Sequence, residues 1–257
     1  MEAFPDLVRR ARARLLTMHF ESGVGHIGGN LSSLDVMLYL YHHVIQRHDV
    51  FVLSKGHSAG ALYTALWSIG RLTDADLRQF HRDATKLSGH PPVKGIPDVL
   101  FATGSLGHGL SLSAGLALGK RFQSQPGRVF CLMSDGEWNE GSNWEALIFA
   151  NHHRLENLSL IVDSNGLQGF GTTKEVADIG SLAEKFQVFG LLTEEIDGHD
   201  VKAIAEAFSR DVKGPRVIVA RTKKGCGVSF MENKMEWHYL PMTPAQYQHA
   251  LDEVNRA

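Results

Sequence analysis

Five short apolar runs, at residues 50–53, 129–133, 158–162, 192–196 and 216–220, alternate with helix-patterned stretches at 34–44, 60–69, 106–122, 144–153, 181–186 and 202–209. Short runs without polar alternation suit strands covered on both faces, the condition of a parallel sheet between helical layers. The alternation therefore predicts an α/β chain with a single doubly wound parallel sheet. Gly198 breaks the chain after the fourth run, and Gly214-Pro215 precedes the fifth. Leu7, Ala11, Leu15 and Met18 recur at three- and four-residue steps, predicting an amphipathic first helix whose outer face carries Arg9, Arg10, Arg12 and Arg14. Thr243 and Pro244 predict the N-cap and first position of a last helix. Residues 225–239 read as irregular.

The second and third runs are each followed at once by polar residues. Ser134-Asp135-Gly136-Glu137-Trp138-Asn139-Glu140-Gly141 follows one, and Asp163-Ser164-Asn165-Gly166-Leu167 the other. A right-handed crossover between neighbouring parallel strands brings their carboxyl ends to the same sheet edge. Asp135 and Asn165 are thus expected at one edge, where open α/β sheets bind ligands. A carboxylate, an amide oxygen and a loop carbonyl form a hard oxygen set suited to Mg²⁺ or Ca²⁺, with a phosphate as a further ligand. The plainer alternative is a polar turn with a helix cap at Asp135 or Ser142.

Bulk properties narrow the function classes. A net charge of −2 gives no footing for nucleic acid or an anionic membrane surface. No apolar run has the length of a membrane span. Acidic Glu2 and Asp6 precede the arginines near the start and no cleavage-like segment follows them, so no targeting segment is read there. Two cysteines form no disulfide framework. Cys131 reads as a small buried hydrophobe and Cys226 has no assigned role; a cytoplasmic, reducing location is expected.

Several of the fourteen histidines sit beside glycine: His26 in Gly25-His26-Ile27-Gly28-Gly29, His57 after Ser54-Lys55-Gly56, His90 after Gly89, and His108 between Gly107 and Gly109. Glycine allows the backbone close to a ligand, and imidazole can bond phosphate or move protons near neutral pH. One Gly-His pair alone reads as a surface turn; four such pairs suggest a site. His42, His43, His48, His81, His152, His153, His199 and His249 lack this context and read as ordinary helix or surface residues. The loop from Gly104 to Gly109 superficially suggests a nicotinamide-binding turn. Its glycine order is wrong for that motif, and it does not lie in the first strand–helix turn.

In this order the motifs resemble the N-terminal, diphosphate-binding half of the transketolase family. They are Ser22-Gly23-Val24-Gly25-His26-Ile27-Gly28-Gly29, Phe51-Val52-Leu53-Ser54-Lys55-Gly56-His57-Ser58, Ser88-Gly89-His90-Pro91, Thr103-Gly104-Ser105-Leu106-Gly107-His108-Gly109, the Asp135 run with Asn165 thirty residues on, and Lys223-Lys224-Gly225-Cys226-Gly227 with Trp237-His238. Ser134 stands where relatives carry a first glycine, and residues 46–49 are shorter than the corresponding loop. The resemblance implies thiamine diphosphate as cofactor, with Mg²⁺ (or Ca²⁺ or Mn²⁺) held by Asp135, Asn165 and the Leu167 carbonyl. It implies His57, Gly136 and His238 at the diphosphate and Gly104 and Leu106 against the cofactor rings. It implies His26, His90 and His238 at the substrate, and Glu140 in a carboxylate network at a subunit interface.

The resemblance also implies transfer of a two-carbon ketol unit from a ketose, phosphorylated or not, to an aldose. The activating glutamate and pyrimidine-binding domain of this family lie on a second α/β unit. Residues 1–257 are expected to form the diphosphate-binding domain alone. A separate C-terminal subunit would then complete a heterotetramer. Alternatives are a thiamine-dependent subunit with another donor, a 2-oxo acid or modified sugar, and a non-catalytic cofactor-binding subunit.

Overall fold

The computed structural model describes residues 2–96 and 98–256. Five strands, β1 (Val50–Leu53), β2 (Val129–Ser134), β3 (Leu158–Ser164), β4 (Leu192–Asp197) and β5 (Arg216–Arg221), pair in the order β1-β2-β3-β5-β4, every pair parallel. Among the described residues, ten α-helices flank them: α1 (Phe4–Ser22), α2 (Ile27–Tyr39), α3 (Ala59–Ser68), α4 (Asp74–Leu77), α5 (Gly109–Phe122), α6 (Gly141–His152), α7 (Thr173–Ala177), α8 (Leu182–Val188), α9 (Val201–Ser209) and α10 (Pro244–Arg256).

Successive strand residues face opposite sides, and the core divides accordingly. Phe51, Phe130, Leu132, Ile161 and Ile218 pack with α1, α2, α3 and α9. Val52, Cys131, Met133, Leu160, Val162 and Val217 pack with α5, α6 and α8. The two-sided burial of β1, β2, β3 and β5 agrees with their unbroken apolar character. β4, one of the two edge strands, is the exception, and its Leu192 is 49% exposed. Among the described residues, no helix is long and apolar enough to cross a membrane.

Three expectations need correction. α2 starts at Ile27, seven residues before the apolar periodicity. Its first turns, Gly28-Gly29-Asn30 and Ser32-Ser33, are buried on all sides, so no amphipathic pattern marks them. The Ser33 hydroxyl donates to the Gly29 carbonyl at 3.0 Å, and the Ser32 hydroxyl to the Asp163 carboxylate at 2.6 Å. The helix ends in a wide π-turn over Leu40–Val44. Second, Arg12 leaves the basic outer face of α1 and turns inward to Asp35 at 2.6 Å. His199 Nδ1 bonds the same carboxylate at 2.8 Å, and Arg12 donates to Cys226 Sγ at 3.4 Å. This group ties α1 to α2 and to the loop before α9. The guanidinium already compensates Asp35, and His199 Nε2 accepts the Lys223 N–H at 3.0 Å. The cluster is therefore a polar clasp. Third, Ser142 caps nothing; its hydroxyl donates to the Gly107 carbonyl at 2.7 Å. The predicted cap at Thr243 holds, with its Oγ1 accepting the Gln246 N–H.

His19, which no motif singled out, is 1% exposed in α1, and neither ring nitrogen makes a hydrogen bond among the described residues. Burial pulls its pKa down to about 4. The unfolded chain takes up this proton near pH 6.5, and the fold does so only near 4. Stability is therefore complete above pH 6.5 and falls as pH drops toward 4, by about 3 kcal/mol from this group. His19→Leu is expected to reduce the acid sensitivity by that amount, read as urea midpoints at pH 7 and pH 4. Equal pH dependence in both proteins would contradict it.

Candidate active site

The carboxyl ends of β1, β2, β3 and β5 deliver Lys55, Asp135, Asn165 and Thr222 to one edge. Asp135 joins two of these ends. Its Oδ1 accepts the Gly136 N–H at 2.7 Å and its Oδ2 the Gly166 N–H at 2.6 Å. Burial, and then the charge of Asp163, push the Asp135 carboxyl up to about 6. Asn165 lies beside it, with Nδ2 donating to Asp163 Oδ2 at 3.3 Å and Oδ1 accepting the Leu167 N–H at 3.1 Å. Lys224 Nζ donates to the carbonyls of Leu167 (3.3 Å) and Gln168 (2.9 Å). Asp135, Gly136, Asn165, Leu167, His57, Leu106 and His238 all line one cleft of about 180 Å³.

Two buried carboxylates brace this cleft. Asp163 pairs with Lys55, whose side chain is 0% exposed. Asp163 Oδ2 also accepts from Ser32 at 2.6 Å, and Oδ1 accepts from Thr222. Burial raises the Asp163 pKa, but the Lys55 charge and these donors outweigh it and hold the carboxyl below its ordinary range. Glu137 accepts from Ser54 Oγ, from the Gly107 N–H at 2.9 Å and from the Ser134 N–H at 3.3 Å. It thereby links β1, β2 and the Gly104–Gly109 loop. Burial raises its pKa against those bonds.

The histidines form a contiguous group. The His26 ring lies 5.2 Å from His238, 5.7 Å from His57 and 6.0 Å from His90. His26 takes a left-handed backbone (φ 66°) as it caps α2, and its N–H donates to the His238 carbonyl at 2.9 Å. Gly25 must be glycine here: a Cβ would come within 2.3 Å of the Tyr239 carbonyl oxygen. Burial, then neighbouring His90, lowers His26 to about 4. Burial, then Lys224, lowers His238 to about 3. His57 is shifted well below its ordinary value, chiefly by burial and then by Lys55, and His90 is lowered by burial. Burial thus favours the neutral form of all four, which leaves each ring one nitrogen to accept a hydrogen bond. Lys224 Nζ sits 2.9 Å from His238 Nδ1, and burial followed by Lys55 lowers the lysine to about 8.

Other predicted residues lie at the margin. A Cβ on Gly104 (φ 144°) would come within 2.9 Å of the His90 ring, and one on Gly56 within 2.7 Å of the Gly104 nitrogen. Glu140 is exposed at the start of α6, beside Gly107, and does not line the cleft. His108 is exposed, with Nδ1 against the Ser105 and Leu106 carbonyls. His81, read as ordinary, lines the small cavity shared by His19, His26, His57 and His90. Lys55, Asp163, Glu137 and Lys224 carry no signal of these roles in the sequence, although each lies inside one of the motifs. A charge at or just past a strand end reads as a solvated turn until the neighbouring ends are known.

Residues 10–252 match the family described as "Transketolase, thiamine diphosphate binding domain". The chain is 36% identical over 256 residues to one of the subunits of the apulose-4-phosphate transketolase of Phocaeicola vulgatus, covering 95% of this chain and 91% of that protein. It is 34% identical over 265 residues to the transketolase of Homo sapiens, covering 99% of this chain and 42% of that protein. The transketolase structure from Leishmania mexicana superposes with a TM-score of 0.92 at 25% identity, covering 99% of this chain and 42% of the other. The chain thus spans about two fifths of the length of these longer transketolases. It belongs to the transketolase family, as the domain of that family that binds thiamine diphosphate.

Proposed function

We propose that the chain is one subunit of a split transketolase, transferring a two-carbon ketol unit between sugars or sugar phosphates. The observation that carries this reading is one cleft in which a hard-oxygen edge meets His57 and His238, with the His26 ring packed against both from an adjoining cavity. Relatives of similar length whose names make them single subunits of a transketolase support the division into two chains.

The donor set suits Mg²⁺, with Ca²⁺ or Mn²⁺ as substitutes. Asp135, Asn165 and the Leu167 carbonyl offer only oxygen, and Asp135 is a buried carboxylate whose ionised form has no cationic partner of its own. Thiamine diphosphate, when bound, supplies the carbanion chemistry of carbon–carbon cleavage. His57, Gly136 and His238 face the diphosphate, and Gly104 and Leu106 flank the rings. His26 and His90, with His238, hold and accept protons at substrate hydroxyls, a role that requires neutral imidazoles. Glu140, exposed beside the cleft rim, faces a partner subunit that brings the pyrimidine-binding domain and the activating glutamate, in a two-plus-two assembly. Free, buried thiols at Cys131 and Cys226 support a reducing cytoplasm.

A modified-sugar donor is the second reading, favoured by the apulose-4-phosphate in the names of the Phocaeicola vulgatus and Actinobacillus succinogenes relatives. Reconstitution with the partner chain tests both through the donor profile. In that complex His26→Ala and His90→Ala are each expected to lower kcat by about 100-fold or more, with thiamine diphosphate affinity within about threefold. Unchanged kcat in both variants would favour a non-catalytic cofactor-binding subunit.

A further inference from the structure

Asp163 is the best-connected side chain at the sheet edge, yet it does not line the cleft. Its carboxylate receives Lys55, Ser32, Thr222 and Asn165, which come from the end of β1, from α2, from the end of β5 and from its own strand end. Asp163 and Lys55 are 1% and 0% exposed. A buried ion pair of this kind contributes little net stability, because desolvating both charges offsets their attraction. Its location offers another reason for it. An asparagine amide has one end that can meet a cation and one that cannot, and its orientation is set by whatever bonds the nitrogen. A carboxylate oxygen can only accept, so Asp163 Oδ2 selects Nδ2. The Leu167 N–H on the other side selects Oδ1. Held by both contacts, Asn165 lines the cleft together with Asp135.

We infer that Asp163, held by Lys55, Ser32 and Thr222, is a positioning residue that orients Asn165 so that its amide oxygen meets the divalent cation of the cofactor. The inference rests on the reading of Asn165 as a cation ligand. The same carboxylate adds negative potential beside Asp135 without touching the cation. Lys55 keeps the pair neutral, and its bond to the Gly29 carbonyl at 3.2 Å ties it to the helix that His26 caps.

The test compares two charge-balanced variants, Lys55→Met/Asp163→Leu and Lys55→Met/Asp163→Asn. Both remove the ion pair; only the second keeps an acceptor for Asn165 Nδ2. Mg²⁺ is titrated by calorimetry at saturating thiamine diphosphate, on the full chain with its partner subunit, and ligand-free melting temperatures are measured in parallel. The leucine variant is expected to lose about 10- to 100-fold in Mg²⁺ affinity, the usual cost of removing an outer-shell partner. The asparagine variant is expected to stay within about threefold, at a similar melting temperature. Equal Mg²⁺ affinity in the two variants would overturn the inference. Asn165→Ala separates the underlying reading: if it leaves Mg²⁺ affinity unchanged, Asn165 is no ligand and both fall together. If the leucine variant does not fold, side-chain ¹⁵N exchange of Asn165 in the native chain decides. Slow exchange of the Nδ2 protons, unchanged on adding Mg²⁺, supports the assignment, and rapid exchange overturns it.

Discussion

Asp135→Asn is expected to weaken Mg²⁺-dependent binding of thiamine diphosphate by more than about 100-fold, because loss of an outer-shell partner alone costs about 10- to 100-fold. Asp135 is the only carboxylate among the three proposed ligands, so asparagine removes the charge as well as one oxygen. A second signature comes from proton linkage. Burial and Asp163 raise the Asp135 pKa to about 6 in the ligand-free fold. Such a carboxyl stabilises the fold fully below its unfolded pKa near 4, and that contribution is lost as pH rises through about 6. Between pH 4 and pH 7 the loss is about 3 kcal/mol. Asparagine does not titrate. Relative to the native protein, the variant should therefore gain about 3 kcal/mol over that interval, whatever its absolute stability. Calorimetric titration at pH 7.5 reads the first effect, and paired urea melts at pH 4 and pH 7 read the second. Native-like cation dependence in the variant would remove Asp135 from the metal site.

Glu137→Ala should cause the largest loss of stability, roughly 3–5 kcal/mol. The carboxylate is 0% exposed and accepts from Ser54, Gly107 and Ser134. Alanine leaves one hydroxyl and two backbone N–H groups without acceptors, each costing about 1–3 kcal/mol, and opens a void in the buried space that the carboxylate fills. Glu137→Gln keeps one acceptor but turns an NH₂ toward a donor, so an intermediate loss is expected. The damage should also reach the cofactor, because Glu137 holds the loop that carries Leu106 into the cleft. Guanidinium midpoints for the three proteins check the order native, Gln, Ala. A midpoint for the alanine variant within about 1 kcal/mol of native would mean that the three donors find other partners.

The layer architecture was legible because it follows from local pattern. β1, β2, β3 and β5 are buried on both faces, and their sequences are apolar at nearly every step, a signal that needs no tertiary information. The pairing of Asp135 with Asn165 was legible for a related reason. The handedness of one crossover is nearly invariant, so two adjacent strand ends can be placed together from sequence order alone. The start of α2 was hidden, since a helix buried all round carries no periodicity. The inward turn of Arg12 was equally hidden, because Asp35, its partner, lies on another helix.

What the sequence alone determined is the layer order, the shared sheet edge and the family motifs, each of which depends on neighbours along the chain. Only the tertiary structure decided what the charges do. Lys55, Asp163, Glu137 and Lys224 each resemble a solvated turn residue in one dimension. Burial makes an ionised side chain depend on its partners, and those partners come from strand ends dozens of residues away.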